Sequence, residues 1–129
     1  MSAPTLLVVD DEPAITALIK RIAESCGYAA SATSRPEEIE PLLRRGDPDV
    51  ICLDLAMPEV DGIELMLKLS ERRCRSMLLI ISGFDHRMVS TAMRLAEARG
   101  LNVAGTVSKP IRIDEFRTLL RQLAGAASC

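Results

Sequence analysis

Three consecutive acids, Asp10, Asp11 and Glu12, directly follow the aliphatic run 6–9. Adjacent carboxylates repel one another, so they need either water or a nearby positive charge. The simplest interpretation is the start of a helix, where acids interact favourably with the helix dipole and Asp is a good cap. The alternative is half of a site that requires concentrated negative charge.

Three other residues that could carry chemistry, Asp54, Ser82 and Lys109, also stand at the ends of apolar runs. Taken singly, each has an ordinary explanation as a turn residue, an approach to a helix or a solvated surface lysine. Their shared position needs a common explanation, which depends on how the apolar runs are arranged in space.

Hydrophobic periodicity divides the chain into five strand–helix pairs. Short apolar runs predict strands, and apolar positions spaced three and four apart predict helices, several of which end at glycine. The predicted strands are 5–9, 28–32, 49–55, 77–82 and 102–108, and the predicted helices are 12–27, 34–46, 62–73, 85–100 and 113–125. In the second helix, Ser34 and Glu37 have capping-box spacing, whereas Pro41 should weaken or kink it.

This alternation predicts an α/β fold with a doubly wound, five-stranded parallel sheet in the order 2-1-3-4-5, a flavodoxin-like three-layer (βα)5 arrangement. Strands 1 and 3 would then be neighbours about 4.8 Å apart, and the carboxyl ends of the strands would share one edge. Asp10, Asp11, Asp54, Ser82 and Lys109 should converge at that edge. A helix cap can still be part of the explanation, since Asp11 could cap a helix and also bind a metal.

Clustered carboxylates at this edge favour a bound cation. Oxygen ligands with open, water-filled positions suit Mg²⁺. A metal held by Asp10, Asp11 and Asp54 leaves a carboxylate oxygen of Asp54 free to act as a nucleophile. With the metal and Lys109 neutralising incoming oxygens, the natural electrophile is a phosphoryl group, to which Ser82 could donate a hydrogen bond.

Composition and cysteine spacing limit the number of domains, the kinds of partner and the location that we expect. The 129 residues suit one domain, 1–129, with a core over about 5–123 and a frayed tail over 124–129. A net charge of −2 and a pI near 5.4 give no general attraction to nucleic acid or to an anionic membrane. The four cysteines form no CxxC pair and no secretory or membrane-spanning segment is visible, so we expect free thiols and a cytoplasmic location.

The motifs VVDDEP, LDLAMPEVDG, IISG and SKP together resemble the receiver domain of two-component response regulators. Each motif alone is weak, but their order and spacing make the combination specific, and the resemblance covers about residues 5–123. It implies a phosphorylation-controlled switch and not an enzyme, because a receiver domain catalyses only its own phosphorylation and dephosphorylation.

The resemblance also implies roles for particular residues. Asp54 would accept a phosphoryl group from a histidine kinase or a phosphotransfer protein, and Ser82 and Lys109 would contact that group. Mg²⁺ would be held by Asp10, Asp11 and Asp54 and by the backbone carbonyl of Ala56.

The neighbouring loop would be shaped by Met57, Pro58, Asp61 and Gly62. The Lys109–Pro110 peptide bond would be cis.

Two features depart from the family pattern. Thr106 stands where the family usually has an aromatic residue, and the segment 82–109 is longer than usual. Both affect the face formed by helix 4, strand 5 and helix 5, through which the chain would act as a monomer or a homodimer on an unknown downstream protein or output domain. We also hypothesise that the small Ala56 and the bulky Phe84 change the access of water to an acyl phosphate.

Other functions receive less support. A receiver-fold interaction module that signals without phosphorylation remains the main alternative. A phosphatase of the haloacid dehalogenase type would require Asp-x-Asp after strand 1, and a dinucleotide-binding enzyme would require a G-x-G-x-x-G motif. The single histidine, His86, is expected to lie exposed at the start of helix 4, and the cluster RRCR at 72–75 is interpreted as a solvated helix end.

Overall fold

Five strands and the helices between them follow the chain order that the sequence predicts. This computed structural model describes residues 3–57, 62–83 and 86–127. Within that part of the chain the strands are β1 (Thr5–Val9), β2 (Ala29–Thr33), β3 (Val50–Asp54), β4 (Met77–Ser82) and β5 (Asn102–Ser108). The helices are α1 (Pro13–Ser25), a 3₁₀ turn (Pro36–Glu38), α2 (Ile39–Arg44), α3 (Gly62–Glu71), α4 (His86–Arg99) and α5 (Ile113–Ala127).

The sheet is parallel throughout and has the order β2-β1-β3-β4-β5, which confirms the predicted fold. Its register places Val9 opposite Leu53, so Asp10 and Asp54 come next at neighbouring strand ends. The topology therefore brings together two acids that lie far apart in the sequence.

The apolar runs of the central strands serve two cores at once, because successive side chains of a strand point to opposite faces. Leu6 and Val8 pack with α1 and α5, in a core that includes Phe116 and Leu120. Leu7 and Val9 pack on the other face, against α2, α3 and α4. The sheet is thus packed between two helical layers.

The second helical segment is shorter than predicted. In place of one helix over 34–46, the chain forms the 3₁₀ turn and then the six-residue helix α2. Pro41 accounts for the shortening, since proline has no N–H to donate and is tolerated only in a first helical turn. Starting α2 at Ile39 places Pro41 in that turn.

The predicted capping box of Ser34 and Glu37 does not form. Instead the Thr33 hydroxyl at the end of β2 donates to the Glu38 carboxylate at 2.7 Å. The contact therefore joins Thr33, one residue before Ser34, to Glu38, one residue after Glu37.

The first and last helices also differ in detail from the prediction. Asp11 does not cap α1, because Glu12 occupies the capping position and makes no side-chain cap bond. Helix α5 continues to Ala127, although we predicted a frayed tail from Ala124. Alanine is the best helix former, and Ala124 packs on the core, which favours the longer helix.

Two further observations concern the whole described chain. Cys26, Cys52 and Cys74 are free thiols, and Cys52 is a fully buried core residue, as predicted. Over the described ranges, no helix combines the length and the apolar character that crossing a bilayer requires.

Gly62 allows α3 to begin directly against the backbone that follows β3. A Cβ atom at this position would lie 2.9 Å from the Cα of Leu55, closer than real Cβ atoms approach other atoms. Met57, also predicted to shape this loop, is buried, whereas Pro58 and Asp61 lie outside the described residues. Gly62 therefore supports the segment next to Asp54 by its lack of a side chain.

We predict that Gly62→Ala lowers the free energy of unfolding by about 1–3 kcal/mol, because the methyl group would overpack against the Leu55 backbone. Urea unfolding followed by far-ultraviolet circular dichroism measures the change. Gly125→Ala is the matched control, since nothing lies within 4 Å of its Cβ position in α5. That control should be neutral or stabilising by up to about 1 kcal/mol, and equal effects of the two substitutions would contradict the packing argument.

Candidate functional site

One lysine holds three carboxylates together at the carboxyl edge of the sheet. The Lys109 Nζ atom lies 3.1 Å from Asp54 Oδ2, 3.2 Å from Asp10 Oδ2 and 3.2 Å from Glu12 Oε1. Asp10 and Asp54 are buried, whereas the Glu12 side chain is 58% exposed. The predicted convergence of Asp10, Asp54 and Lys109 is therefore what the fold produces.

Lys109 is positioned by the pairing of β4 with β5. Ser82 lies opposite Ser108, and the Lys109 backbone N–H donates to the Ser82 carbonyl at 2.8 Å. The Lys109–Pro110 peptide bond is cis, as the resemblance implies. Ser82 is itself buried and follows Ile81, the residue opposite Asp54, so Ser82 ends the strand next to the one that ends in the acid.

Asp54 uses its two carboxylate oxygens differently. Oδ1 accepts a hydrogen bond from the Ala56 backbone N–H at 2.9 Å, and Oδ2 accepts one from Lys109. Both contacts fix the orientation of the carboxylate. Asp54 is therefore held in one orientation, although it is only 1% exposed.

The carboxylate of Asp10 has fewer hydrogen-bond partners than that of Asp54. Its Oδ1 accepts from the Glu12 backbone N–H at 2.9 Å. Its Oδ2 is near the Lys109 ammonium, but the direction of approach is wrong for a hydrogen bond, and this oxygen is the buried side-chain atom without a hydrogen-bond partner among the described residues. The contact is thus an ion pair that leaves a lone pair unused.

The protonation equilibria reflect this crowding. Burial and the charge of Asp54 raise the pKa of Asp10 to about 6, against the opposing effects of the Glu12 N–H and Lys109. Burial alone would lower the pKa of Lys109, but its hydrogen bonds to Asp54 and Glu12 and the charge of Asp10 raise the pKa overall. Lys109 therefore keeps its positive charge, but that single charge does not fully neutralise the negative charge of the nearby carboxylates.

The remaining negative charge suits a hard cation. Oxygen atoms of Asp10, Asp11 and Glu12 come within 4.8 Å of one another, and Asp11 and Glu12 are exposed to solvent. A donor set made only of carboxylate oxygens, partly open to water and containing an unsatisfied buried oxygen, fits Mg²⁺. Asp54 is not within that group of acids and contacts Lys109.

Glu12 is the residue that we did not predict at this site. Its position directly after the acid pair could have indicated a place in the site. The sequence does not show in which direction the side chain of a residue at the start of a helix points. In the structure it provides the exposed third contact of Lys109.

The surroundings confirm the predicted exposure of His86 and show where two other singled-out residues lie. His86 is exposed at the first position of α4, and Ala56 is exposed beside Asp54. Thr106 is exposed, and it lines a pocket of about 440 Å³ between β5 and α5. Phe84 lies outside the described residues.

Comparison with known proteins gives one consistent result. A family model for the response regulator receiver domain matches residues 6–121. The crystal structure of a response regulator from Colwellia psychrerythraea has a TM-score of 0.82 and 32% sequence identity, and the match covers 97% of this chain and 99% of that chain.

Curated relatives share this domain within longer chains. A protein-glutamate methylesterase/protein-glutamine glutaminase of Hahella chejuensis is 29% identical over 92% of this chain, which spans 35% of that protein. The transcriptional regulatory protein TcrA of Mycobacterium tuberculosis is 27% identical over 96% of this chain, which spans 47% of that protein. The chain therefore spans about a third to a half of the length of these relatives.

We predict that Asp10→Asn stabilises the metal-free protein. The carboxyl has a pKa near 6 in the folded state and 3.8 as its ordinary value, so its ionisation opposes folding above pH 6 and has no effect below about pH 4. The melting temperature in a chelating buffer should rise by about 3 °C or more near neutral pH, and the gain should disappear as the pH falls through this window.

Asp11→Asn is the matched control, because Asp11 is exposed and has no buried charge to remove. Its effect should stay within about 0.5 kcal/mol at every pH. A stability gain of Asp10→Asn that does not depend on pH would show that crowding of charge is not its cause.

Proposed function

Because the chain belongs to the response regulator receiver domain family, we propose that it works as a phosphorylation-controlled switch in which Asp54 accepts a phosphoryl group. The observation that carries the proposal is the environment of Asp54, a buried, oriented carboxylate bonded to Lys109 at the same edge as Asp10. Lys109 and Ser82 are its proposed partners in phosphoryl transfer.

In the proposed reaction a carboxylate oxygen of Asp54 attacks the phosphorus atom of a phosphohistidine. The phosphorus–nitrogen bond breaks, the histidine leaves with the bonding electron pair, and an acyl phosphate forms on Asp54. The donor is a histidine kinase or a phosphotransfer protein. The Ala56 N–H keeps its hold on the other oxygen, so that the attacking oxygen stays oriented.

Metal binding is part of the proposal. Asp10, Asp11, Asp54 and the backbone carbonyl of Ala56 are the proposed ligands of Mg²⁺, and Glu12 is close enough to the first two to assist. Bound Mg²⁺ supplies positive charge for the oxygens of the transferring phosphoryl group. Lys109 would contribute a second positive charge, and Ser82 would donate a hydrogen bond from its hydroxyl group.

Phosphorylation would change the contacts of Lys109. The ammonium would exchange a carboxylate of Asp54 for a phosphoryl oxygen, and Ser82 would turn toward the same group. Because Ser82 ends β4 and Lys109 directly follows β5, the change would bias the neighbouring face of α4, β5 and α5.

The remaining parts of the proposal concern cellular context. That face would bind an unknown downstream protein or output domain, or a second copy in a homodimer, in the cytoplasm. The receiver itself would make no direct contact with nucleic acid, and DNA binding in a relative such as a transcriptional regulator would belong to another part of that longer chain.

We predict that acetyl phosphate and Mg²⁺ add one phosphoryl group to the intact protein, as measured by mass spectrometry. Asp54→Asn should abolish the adduct, because the amide is a poor nucleophile. Asp114→Asn is the control, since this exposed acid at the start of α5 lies away from the site.

Two results would contradict the proposal. An adduct that persists in Asp54→Asn would place the acceptor elsewhere. A protein that stays unmodified with acetyl phosphate and with a competent histidine kinase would instead be an interaction module that does not use phosphate.

We also predict that position 56 sets the lifetime of the acyl phosphate, because Ala56 is small, exposed and adjacent to the buried acceptor. Ala56→Leu should shield the phosphoryl group and slow its hydrolysis several-fold, whereas Ala56→Asn should admit or orient water and speed it. Loss of the phosphorylated mass with time, after the donor is removed, measures both rates. Rates equal to that of the unchanged chain would refute the role of this position.

A further inference from the structure

We propose that a pocket at the amino edge of the sheet binds a compact polyphosphate group. This pocket, hereafter the arginine pocket, has a volume of about 380 Å³ and lies between the segment after α3 and the segment after α4. Its charged lining residues are Arg73, Arg75 and Arg99. The motif RRCR supplies two of these arginines, and both are exposed after the end of α3, as predicted for a solvated helix end.

The arginine pocket is distinct from the acid site. Its lining residue Arg75 lies two residues before β4, and Asn102 begins β5. Ser82 ends β4, and Lys109 directly follows β5. A six-residue strand rises roughly 17 Å from first to last residue, so the two sites occupy opposite ends of the sheet.

The three arginines have no acidic partner in the described part of the chain. Arg72 shows the contrast, because it pairs with Asp47 at 3.6 Å and donates to the Leu43 carbonyl. Asp47 also accepts a hydrogen bond from the backbone N–H of Arg75, and its carboxylate is therefore already engaged.

Two more acids belong to the helices that end at the arginine pocket, but they do not line it. Glu71 and Glu97 belong to the last turns of α3 and α4, are exposed, and do not line the pocket. The lining itself is therefore cationic.

The backbone at Arg73 supports a function for its side chain. Arg73 is the described non-glycine residue with a positive φ, 56°, and it occupies the position after α3 that usually belongs to glycine. The hydrogen bonds there are those of a Schellman motif, with Arg73 N–H bonded to Ser70 and Cys74 N–H bonded to Leu69.

The facing helix α4 ends with the same kind of motif on Gly100, at φ 73°. Glycine would relieve the strain at position 73 and leave the fold unchanged. Arg73 has a strained backbone and lies on the wall of a cationic pocket, which together indicate a function for its guanidinium group.

The chemistry of the lining selects the ligand. Guanidinium groups bind phosphate oxygens in bidentate geometry, and several of them favour a ligand with more than one negative charge. None of the described lining residues is aromatic, so the pocket offers no surface on which a nucleobase could stack. The recognised group is the polyphosphate, whether free as diphosphate or carried by a nucleoside diphosphate.

The test is a titration of the full 129-residue chain with diphosphate, followed by amide nuclear magnetic resonance in a chelating buffer. Shifts are expected at residues 70–75 and 99–102 and not at the acid site, with a dissociation constant below about 1 mM at about 0.15 M salt. ADP should bind within about threefold of diphosphate, because the base makes no contact.

Arg73→Gly is the decisive variant. It should weaken diphosphate binding about tenfold while raising the melting temperature by about 3 °C, so lost binding cannot be attributed to a damaged fold. Arg99→Gln should weaken binding similarly. Arg121→Gln, which removes an exposed arginine of α5 outside the pocket, should leave binding unchanged.

Several results would overturn the proposal. One is the absence of shifts around the arginine pocket, and another is unchanged binding in Arg73→Gly and Arg99→Gln. Equal weakening by Arg121→Gln would show attraction to net charge alone. Binding of an acidic peptide in place of diphosphate, or ADP binding more than about tenfold tighter than diphosphate, would contradict the assignment to a polyphosphate group.

Discussion

A single ammonium group among three carboxylates is the interaction on which the carboxyl edge of the sheet depends. Asp10 and Asp54 are both buried, and two like charges so close together destabilise a fold that lacks a counterion. Lys109 supplies one, yet the pKa of Asp10 still lies near 6, so the compensation is incomplete. The charge imbalance that costs stability is also what would make the edge receptive to a second cation, as the proposed phosphoryl transfer requires.

The topology explains how that lysine reaches its partners. Lys109 and Glu12 are 97 residues apart, and β5 lies two strands away from β3 in the sheet. The hydrogen bond from the Lys109 N–H to the Ser82 carbonyl carries the chain over the end of β4, and the side chain then extends toward β3 and β1. A change in the contacts of Asp54 would therefore reach the junction of β4 and β5 first, close to the proposed output face and Thr106.

Sequence patterns predicted the parts of this structure that depend on local periodicity. Buried parallel strands are continuous apolar runs, so the strands, their order and the positions of Asp10, Asp54 and Lys109 could be inferred. Features decided by tertiary contacts could not. The start of α2 depends on where Pro41 is tolerated in a helix. The contact of Glu12 depends on Lys109, which follows β5. The pairing of β5 with β4 has an irregular register between Leu78 and Leu79, which hydrophobic periodicity does not predict.

The opposite charges at the two edges of the sheet follow in part from the fold itself. In a parallel sheet covered by antiparallel helices, the helix C-termini gather at the amino edge, where their dipoles favour arginine. This explains Arg44, Arg72 and Arg99 without any ligand. It does not explain Arg73, because a dipole is satisfied equally well by a neighbouring residue in an ordinary conformation, and glycine would serve the turn better. A contact of its guanidinium with the proposed polyphosphate group would offset this backbone cost, so the proposed site accounts for an arginine at position 73.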